Sequence, residues 1–500
     1  MTAKVKTFSF LGINVLDVDV EVKISQGLPN ITIVGLPDKA IGESRERVRH
    51  AISSLGVSWP QKRITVNMAP ADLQKEGSHF DLAIAIGILI EMGIVEQSMV
   101  ENFYLLGELT LDGSLNSVNG IISAAIGANE RRSGLICPQI NGSEASYAAE
   151  MPIIASENLL KLIGHLKGES LLPQTKANKI ENIPSYPDLI DVKGQENAKR
   201  ALEIAAAGGH NLLMIGPPGT GKSMLASRLN GILPPPSLEE ILEINMIHSI
   251  SGKITNGNLV ISRPYRDPHH SCSMPAMVGG GTKAKPGEIS LACNGVLFLD
   301  ELPEFPRQVL DSLRQPLETG QVTISRANSH ITYPANFQLI AAMNPCRCGF
   351  LGDSKRQCKK APDCGIDYQN KISGPILDRI DMVIEVAQTD IFFENNKVTQ
   401  NSESIRNNVF KARDIQYKRY HNQNIIQKNN SKISNSSIEK YIDLDDDCKN
   451  ILKKSSEKLL FSMRAISRIL RVARTIADLD QSENIKQVHL LEAISYRKKI

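Results

Sequence analysis

Shifts in the spacing of apolar residues divide the chain. From about Val5 to His165, strand-like runs (Asn30-Ile31-Thr32-Ile33-Val34 and Arg63-Ile64-Thr65-Val66-Asn67) alternate with helical ones such as 81–92, punctuated by Gly35, Gly56, Gly107 and Gly120. This pattern predicts a compact α/β unit over residues 1–166. Residues 167–190 lose periodicity, as in Gln174-Thr175-Lys176-Ala177-Asn178-Lys179, and read as a linker. Over 191–388 the apolar runs are continuous: Leu212-Leu213-Met214-Ile215, Val296-Leu297-Phe298-Leu299 and Gln338-Leu339-Ile340-Ala341-Ala342. Runs without alternation belong to strands covered on both faces, so a second α/β region with a parallel sheet is expected. Residues 389–500 begin with an Asn-, Lys- and Gln-rich stretch, 395–437, expected to be a partly helical arm ending in an exposed loop. They end in helical spacing at Ile466, Ile469, Leu470 and Ala473, with Arg464, Arg468, Arg471 and Arg474 between, which predicts a small helical domain.

A chain of 500 residues exceeds what one hydrophobic core organises, in keeping with several domains. The 41% apolar and 22% charged residues are ordinary for a globular protein and argue against a disordered or fibrous chain. No apolar run reaches the roughly eighteen residues of a membrane span, and Met1 to Phe10 has no signal-peptide core, so a cytoplasmic protein without membrane contact is expected. The net charge of +3 decides nothing about nucleic acid, because a basic groove can hide in a balanced total.

The sharpest motif is Gly216-Pro217-Pro218-Gly219-Thr220-Gly221-Lys222-Ser223, which follows an apolar strand and precedes the helical run 224–229. This is the context a P-loop needs: glycines let backbone N–H groups curl around phosphates, Lys222 reaches the β and γ phosphates, and Ser223 ligates Mg²⁺. About eighty residues on, an apolar strand ends in Asp300 and Glu301. That placement sets Asp300 beside the metal and lets Glu301 polarise an attacking water. Asn344 ends the next apolar strand, where its amide can orient the water or touch the γ-phosphate. Arg379, in Gly374-Pro375-Ile376-Leu377-Asp378-Arg379-Ile380-Asp381, is a candidate arginine finger for a neighbouring subunit; the plainer reading is an ion pair with Asp378 or Asp381. Arg464 is the candidate second sensor at the start of a C-terminal helix, with Arg468 one turn on as its rival.

Four of the eight cysteines, Cys346, Cys348, Cys358 and Cys364, fall within nineteen residues. Their spacing can wrap a tetrahedral Zn²⁺, and free thiols are the alternative.

Taken in order, the P-loop, acid-tipped strand, sensor Asn, Arg-bearing turn and sensor-Arg helix resemble an AAA+ module. Further wording narrows the resemblance: 263–270 (Arg-Pro-Tyr-Arg-Asp-Pro-His-His), Gly279-Gly280-Gly281, Pro286-Gly287-Glu288-Ile289-Ser290-Leu291 and Leu302-Pro303-Glu304-Phe305. The chain is similar over essentially its whole length to the YifB/ComM family of magnesium-chelatase-like AAA+ ATPases. The resemblance implies an α/β fold with an AAA+ P-loop core, a C-terminal helical lid and a homohexameric ring that uses ATP and Mg²⁺; for ComM it implies a helicase driving DNA branch migration in natural transformation. Residues 75–83 and 107–113 are similar to the Lon-protease-like domain of this family. At the positions of the Lon Ser–Lys dyad stand about His79 and Ile122, so peptidase activity is expected to be absent, with Ser78 a near neighbour. Cys293 stands where many relatives have His.

DNA, as the substrate, is expected to meet residues 263–285 and the hairpin 323–330, with His269 and His270 either contacts or structural turn residues. Lys and Arg with few aromatics imply salt-sensitive, sequence-independent binding. The alternative is a chelatase- or chaperone-like ATPase that remodels a protein partner without nucleic acid.

Overall fold

The computed structural model describes residues 2–148, 150–176, 185–254, 257–281, 284–326, 329–351, 360–388, 401–421 and 429–497. They form two compact units. Unit 1 comprises Met1–Asn182 with Leu238–Ile261 and Ala327–Tyr333; unit 2 comprises Ile183–Ser237, Ser262–Arg326 and Pro334–Ile500.

Unit 1 is built on a seven-stranded mixed sheet of β1 (Ala3–Leu11), β2 (Asn14–Ser25), β3 (Asn30–Val34), β4 (Arg63–Ala69), β5 (Phe103–Leu105), β6 (Gly134–Pro138) and β7 (Ile153–Ser156), in the order β3-β4-β2-β1-β5-β6-β7. The β1–β2 and β2–β4 pairs are antiparallel and the rest parallel. Helices α1 (Lys39–Ser54), α2 (Asp81–Glu91), α3 (Ile121–Glu130) and α4 (Gln139–Ala148) join them. α2 is apolar on every side, and Leu82 to Leu89 are all buried. Its first residue, Asp81, is fully buried and takes Arg47 Nε at 2.6 Å, which answers the charge that burial would otherwise leave bare.

The stretch read from sequence as one continuous core, 191–388, gives two pieces to unit 1. The helix Leu238–Ile250 buries Ile244 and Ile247 there, and its Ser249 Oγ donates to Glu144 Oε1 at 2.6 Å while accepting the Gly120 N–H at 2.9 Å.

Unit 2 holds a five-stranded, all-parallel sheet of β8 (Leu212–Ile215), β9 (Tyr265–Arg266), β10 (Val296–Leu299), β11 (Gln338–Met343) and β12 (Met382–Glu385), in the order β9-β10-β11-β8-β12. Helices α5 (Glu196–Gly208), α6 (Lys222–Ser227), α7 (Ser402–His421) and α8 (Met463–Leu479) belong to it. One apolar core runs from Leu212, Met214, Phe298 and Ile340 of the sheet through Val409 and Ala412 of α7 to Ile469 and Val472 of α8. α7 lies in the stretch read as a partly helical arm ending in an exposed loop. Its polar composition hides an apolar row, Ile405, Val409, Ala412 and Tyr420, at helical spacing. Arg406 and Arg413 of the same helix donate to the carbonyls of Gly231 and Ala206.

Candidate functional site

In a parallel sheet the carboxyl ends of the strands form the crevice that binds ligands. Three neighbouring strands, β10, β11 and β8, end there in Asp300, Asn344 and the loop Gly216–Ser223, so the sheet order itself brings the distant motifs together.

The loop is shaped for an anion. Gly216 packs so closely on the chain that a Cβ would stand 2.2 Å from the Val386 carbonyl, whereas Gly219 and Gly221, at φ +78° and +85°, have open space where a side chain would be. Those backbone conformations favour glycine and leave the amides uncovered. Thr220 Oγ1 donates to the Pro217 carbonyl at 2.9 Å, bracing the turn, and Pro218 lies against Gly349 of the loop after Asn344. Lys222 is buried, its ammonium donating to the carbonyls of Gly216 and Pro217 at 2.8 and 2.9 Å and to Asn344 Oδ1 at 3.1 Å. Burial pulls the Lys222 pKa down, while Asp300 and Glu301 oppose that shift.

Ser223 Oγ donates to Asp300 Oδ2 at 2.6 Å, so hydroxyl and carboxylate already face one point. Such an oxygen pair suits Mg²⁺, which is held by one or two carboxylate or hydroxyl oxygens plus phosphate. When bound there, the ion would supply charge neutralisation on the phosphates. The other Asp300 oxygen accepts the Glu301 N–H at 2.9 Å. Glu301 itself has a left-handed backbone, φ 51° and ψ 46°, a conformation that costs a non-glycine residue energy and is found at functional turns. Asp267, after β9, lies near Asp300; burial, and then that neighbouring charge, push its carboxyl above the usual range.

Other residues expected at the site stand apart from these. Arg379 follows the short helix Gly374–Leu377 and is fully engaged: Nη2 meets Glu318 Oε2 at 2.5 Å, Nε donates to the Arg314 carbonyl and Nη1 to that of Pro375. Its ion-pair partner is thus Glu318, neither Asp378 nor Asp381. Arg468 takes Asp381, at 3.1 Å from Nη1, and Arg464, in the first turn of α8, is exposed.

Of the four clustered cysteines, Cys358 lies outside the described residues. Cys346 Sγ and Cys348 Sγ are 3.1 Å apart, Cys364 sits on the helix Asp363–Gln369, and among the described residues there is no group of three or more His, Cys, Asp or Glu able to hold a metal ion. Cys293 is buried just before β10.

Two contacts escaped the sequence reading. Arg266 clamps Glu288 through Nε and Nη2, at 2.5 and 2.7 Å, and His270 Nδ1 lies 3.3 Å from Glu301 Oε2. The motif wording contained all four residues, but the fold pairs them: the parallel register of β9 on β10 brings His270 to Glu301, and the helix Glu288–Leu291 brings Glu288 to Arg266. Arg263, expected among DNA contacts, instead donates to the carbonyls of Pro234 and Asn294, and His269 closes a turn on Ser271. In unit 1, His79 is buried with Nε2 2.9 Å from the Phe8 carbonyl, Ile122 is buried in α3, and Ser78 Oγ donates to Glu108. Burial holds the His79 pKa down at about 4.

The family described as magnesium chelatase, subunit ChlI, matches residues 188–392; subunit ChlI of Mg-chelatase matches 20–141, and the ChlI C-terminal family matches 399–497. YifB of Salmonella typhimurium is 44% identical over 497 residues, covering 99% of this chain and 97% of that protein. Competence protein ComM of Haemophilus influenzae is 46% identical over 495 residues, 97% of this chain and 96% of that one. An archaeal Lon protease of Thermococcus kodakarensis is 43% identical over 83 residues, 16% of this chain and 13% of its own. No helix among the described residues is long and apolar enough to cross a membrane. The family implies use of nucleotide and Mg²⁺, and with these matches along its length the chain belongs to the YifB/ComM family of magnesium-chelatase-like AAA+ ATPases.

Proposed function

We propose that this protein is an ATP-driven DNA motor: copies assemble into a ring, hydrolyse ATP, and use the cycle to move DNA strands, as in branch migration during uptake of incoming DNA. The observation that carries the ATPase half is the convergence of Lys222, Asn344, Ser223, Asp300 and Glu301 on the carboxyl ends of β8, β10 and β11. In this reading the amides of Gly216–Ser223 and the Lys222 ammonium hold the triphosphate, and Ser223 and Asp300 hold Mg²⁺. Glu301 takes the proton of the attacking water, Asn344 orients that water, and Arg379 reaches the phosphate of the next subunit. Arg464, exposed at the start of α8, is the sensor arginine in preference to the paired Arg468.

The DNA half is supported by the 46% identity to a competence protein over nearly the whole chain. With Arg263 and Arg266 bound internally, Lys285, exposed after the glycine-rich turn, is the described cation of that stretch best placed to meet phosphates.

The test is binding of the purified protein to branched DNA, with and without ATP, at two salt concentrations, alongside DNA stimulation of ATP hydrolysis. The expected result is stimulated turnover and an affinity that falls steeply with salt, because phosphate contacts release counterions. Hydrolysis without any DNA response would replace this reading with a remodeller of a protein partner.

A further inference from the structure

β9 and β10 run parallel with Tyr265 opposite Val296 and Arg266 opposite Leu297. Carrying that pairing four residues past Arg266 and Leu297 sets His270 level with Glu301, and there the imidazole Nδ1 is 3.3 Å from Glu301 Oε2. The two partners differ in how firmly they are held. The Glu301 side chain is half exposed. His270 is partly exposed but has neighbours on two sides: its ring lies tilted by 34° against that of His269 with centroids 4.0 Å apart and meets the buried Phe305 edge-on at 6.5 Å, while His269 is itself tied to Ser271 at 2.8 Å. An imidazole braced by two rings therefore faces one oxygen of an exposed carboxylate next to the residue that faces the metal position.

We infer that His270 is a positioning residue for the water-activating carboxylate. In this role the 3.3 Å approach closes to a hydrogen bond from Nδ1–H to Oε2, which sets the plane of the Glu301 carboxylate and leaves Oε1 free to accept the proton of the attacking water. This role rests on the reading of Glu301 as the general base. A carboxylate on rotatable bonds in water samples many orientations, and one directional hydrogen bond restricts it to those in which a single oxygen points into the site. The cost of losing such a supporting contact is carried by turnover and not by nucleotide affinity, since among the described residues no hydrogen bond joins His270 to the Gly216–Ser223 loop or to Asp300.

The experiment uses the full-length protein with His270→Ala, His270→Asn and Glu301→Gln, alone and in combination. His270→Ala is expected to lower kcat by about 10- to 100-fold, the range typical of partners that orient a reacting group, with KM and the Kd for a fluorescent ATP analogue unchanged within about twofold. His270→Asn, whose amide N–H falls close to the place of Nδ1–H, is expected to restore most of the loss. Added to Glu301→Gln, His270→Ala is expected to cost nothing more, because its effect passes through the same carboxylate. Nucleotide retained by His270→Ala after desalting is expected to be mainly ATP, a readout independent of steady-state turnover. A wild-type kcat in His270→Ala, an equal further loss in the Glu301→Gln background, or failure of Asn to restore would overturn the inference. Wild-type turnover by Glu301→Gln alone is a different failure, since it removes the base reading itself and the positioning role with it.

Discussion

The Lys222 ammonium donates to Asn344 Oδ1 across 3.1 Å, joining the phosphate loop to the end of the strand that lies between it and Asp300 in the sheet order. The two residues are expected to fail differently. Lys222→Ala removes the cation that a triphosphate would meet and should abolish nucleotide uptake, read by calorimetry. Asn344→Ala keeps that cation and should bind nucleotide with kcat reduced on the order of 100-fold, the scale for losing one group that acts on the transition state. Equal loss of binding in both would make Asn344 a structural brace of the loop.

Arg379 bears on assembly. Its nitrogens are spent on Glu318 and on the carbonyls of Arg314 and Pro375, so a role in a neighbour's site requires the Glu318 pair to open. Arg379→Ala is expected to bind ATP without turning it over. Mixing it with Lys222→Ala should restore activity, because an interface between an intact loop and an intact Arg379 then exists at about a quarter of positions in a randomly mixed head-to-tail ring. Two inactive proteins that stay inactive on mixing would place Arg379 in its own subunit's architecture.

The nucleotide loop and the acid-tipped strand were legible because the chemistry is encoded within a few consecutive residues: close approach to phosphate demands Gly219 and Gly221, and a covered strand must be apolar until it reaches Asp300. Partners set by strand register or by packing of distant segments were not. Arg266 with Glu288, His270 with Glu301 and Arg379 with Glu318 lie 22, 31 and 61 residues apart, and no local pattern joins them. α7 fits the partly helical arm expected there, but its seat in the core was not foreseen, although Ile405, Val409, Ala412 and Tyr420 mark its buried side. The placement of Leu238–Ile250 in unit 1 had no sequence signal either, since a helix declares that it has an apolar face but not which surface covers it.

His79 makes the N-terminal unit sensitive to acid. The unfolded imidazole has a pKa of 6.5 and the folded one about 4, so between these values the unfolded chain binds more protons and stability rises with pH. The contribution is complete above about pH 6.5 and is lost as pH falls towards 4; a shift of that size corresponds to about 3 kcal/mol. Limited proteolysis of β1 and α2 should therefore accelerate from pH 7 to pH 5 in the wild type and much less in His79→Gln. Parallel pH profiles for the two would show that His79 is not the titrating group.

Ser249 holds the helix Leu238–Ile250 into the same unit by serving two partners at once, donating to Glu144 Oε1 and accepting from the Gly120 N–H. Glu144 is almost wholly buried; desolvation pushes its pKa up, and the hydrogen bonds from Ser249 and from Asn141 Nδ2 pull it back. A carboxyl whose folded pKa is raised favours the folded state only while protonated, so its ionisation withdraws stability as pH rises through the window above 4.5. Ser249→Ala removes a bond to the ionised form and orphans the Gly120 amide, a cost of about 2 to 3 kcal/mol for buried groups left unpaired. Because the damage is local, hydrogen exchange should quicken across Leu238–Ile250 and the start of α3 while the paired amides of β8 and β11 keep their protection. Adding Glu144→Gln should recover part of the loss at neutral pH, since a neutral amide is cheaper to bury than a carboxylate deprived of its donor. Uniform loss of protection through both units, with no recovery by the second change, would mean that Ser249 supports the whole molecule and not the seat of one helix.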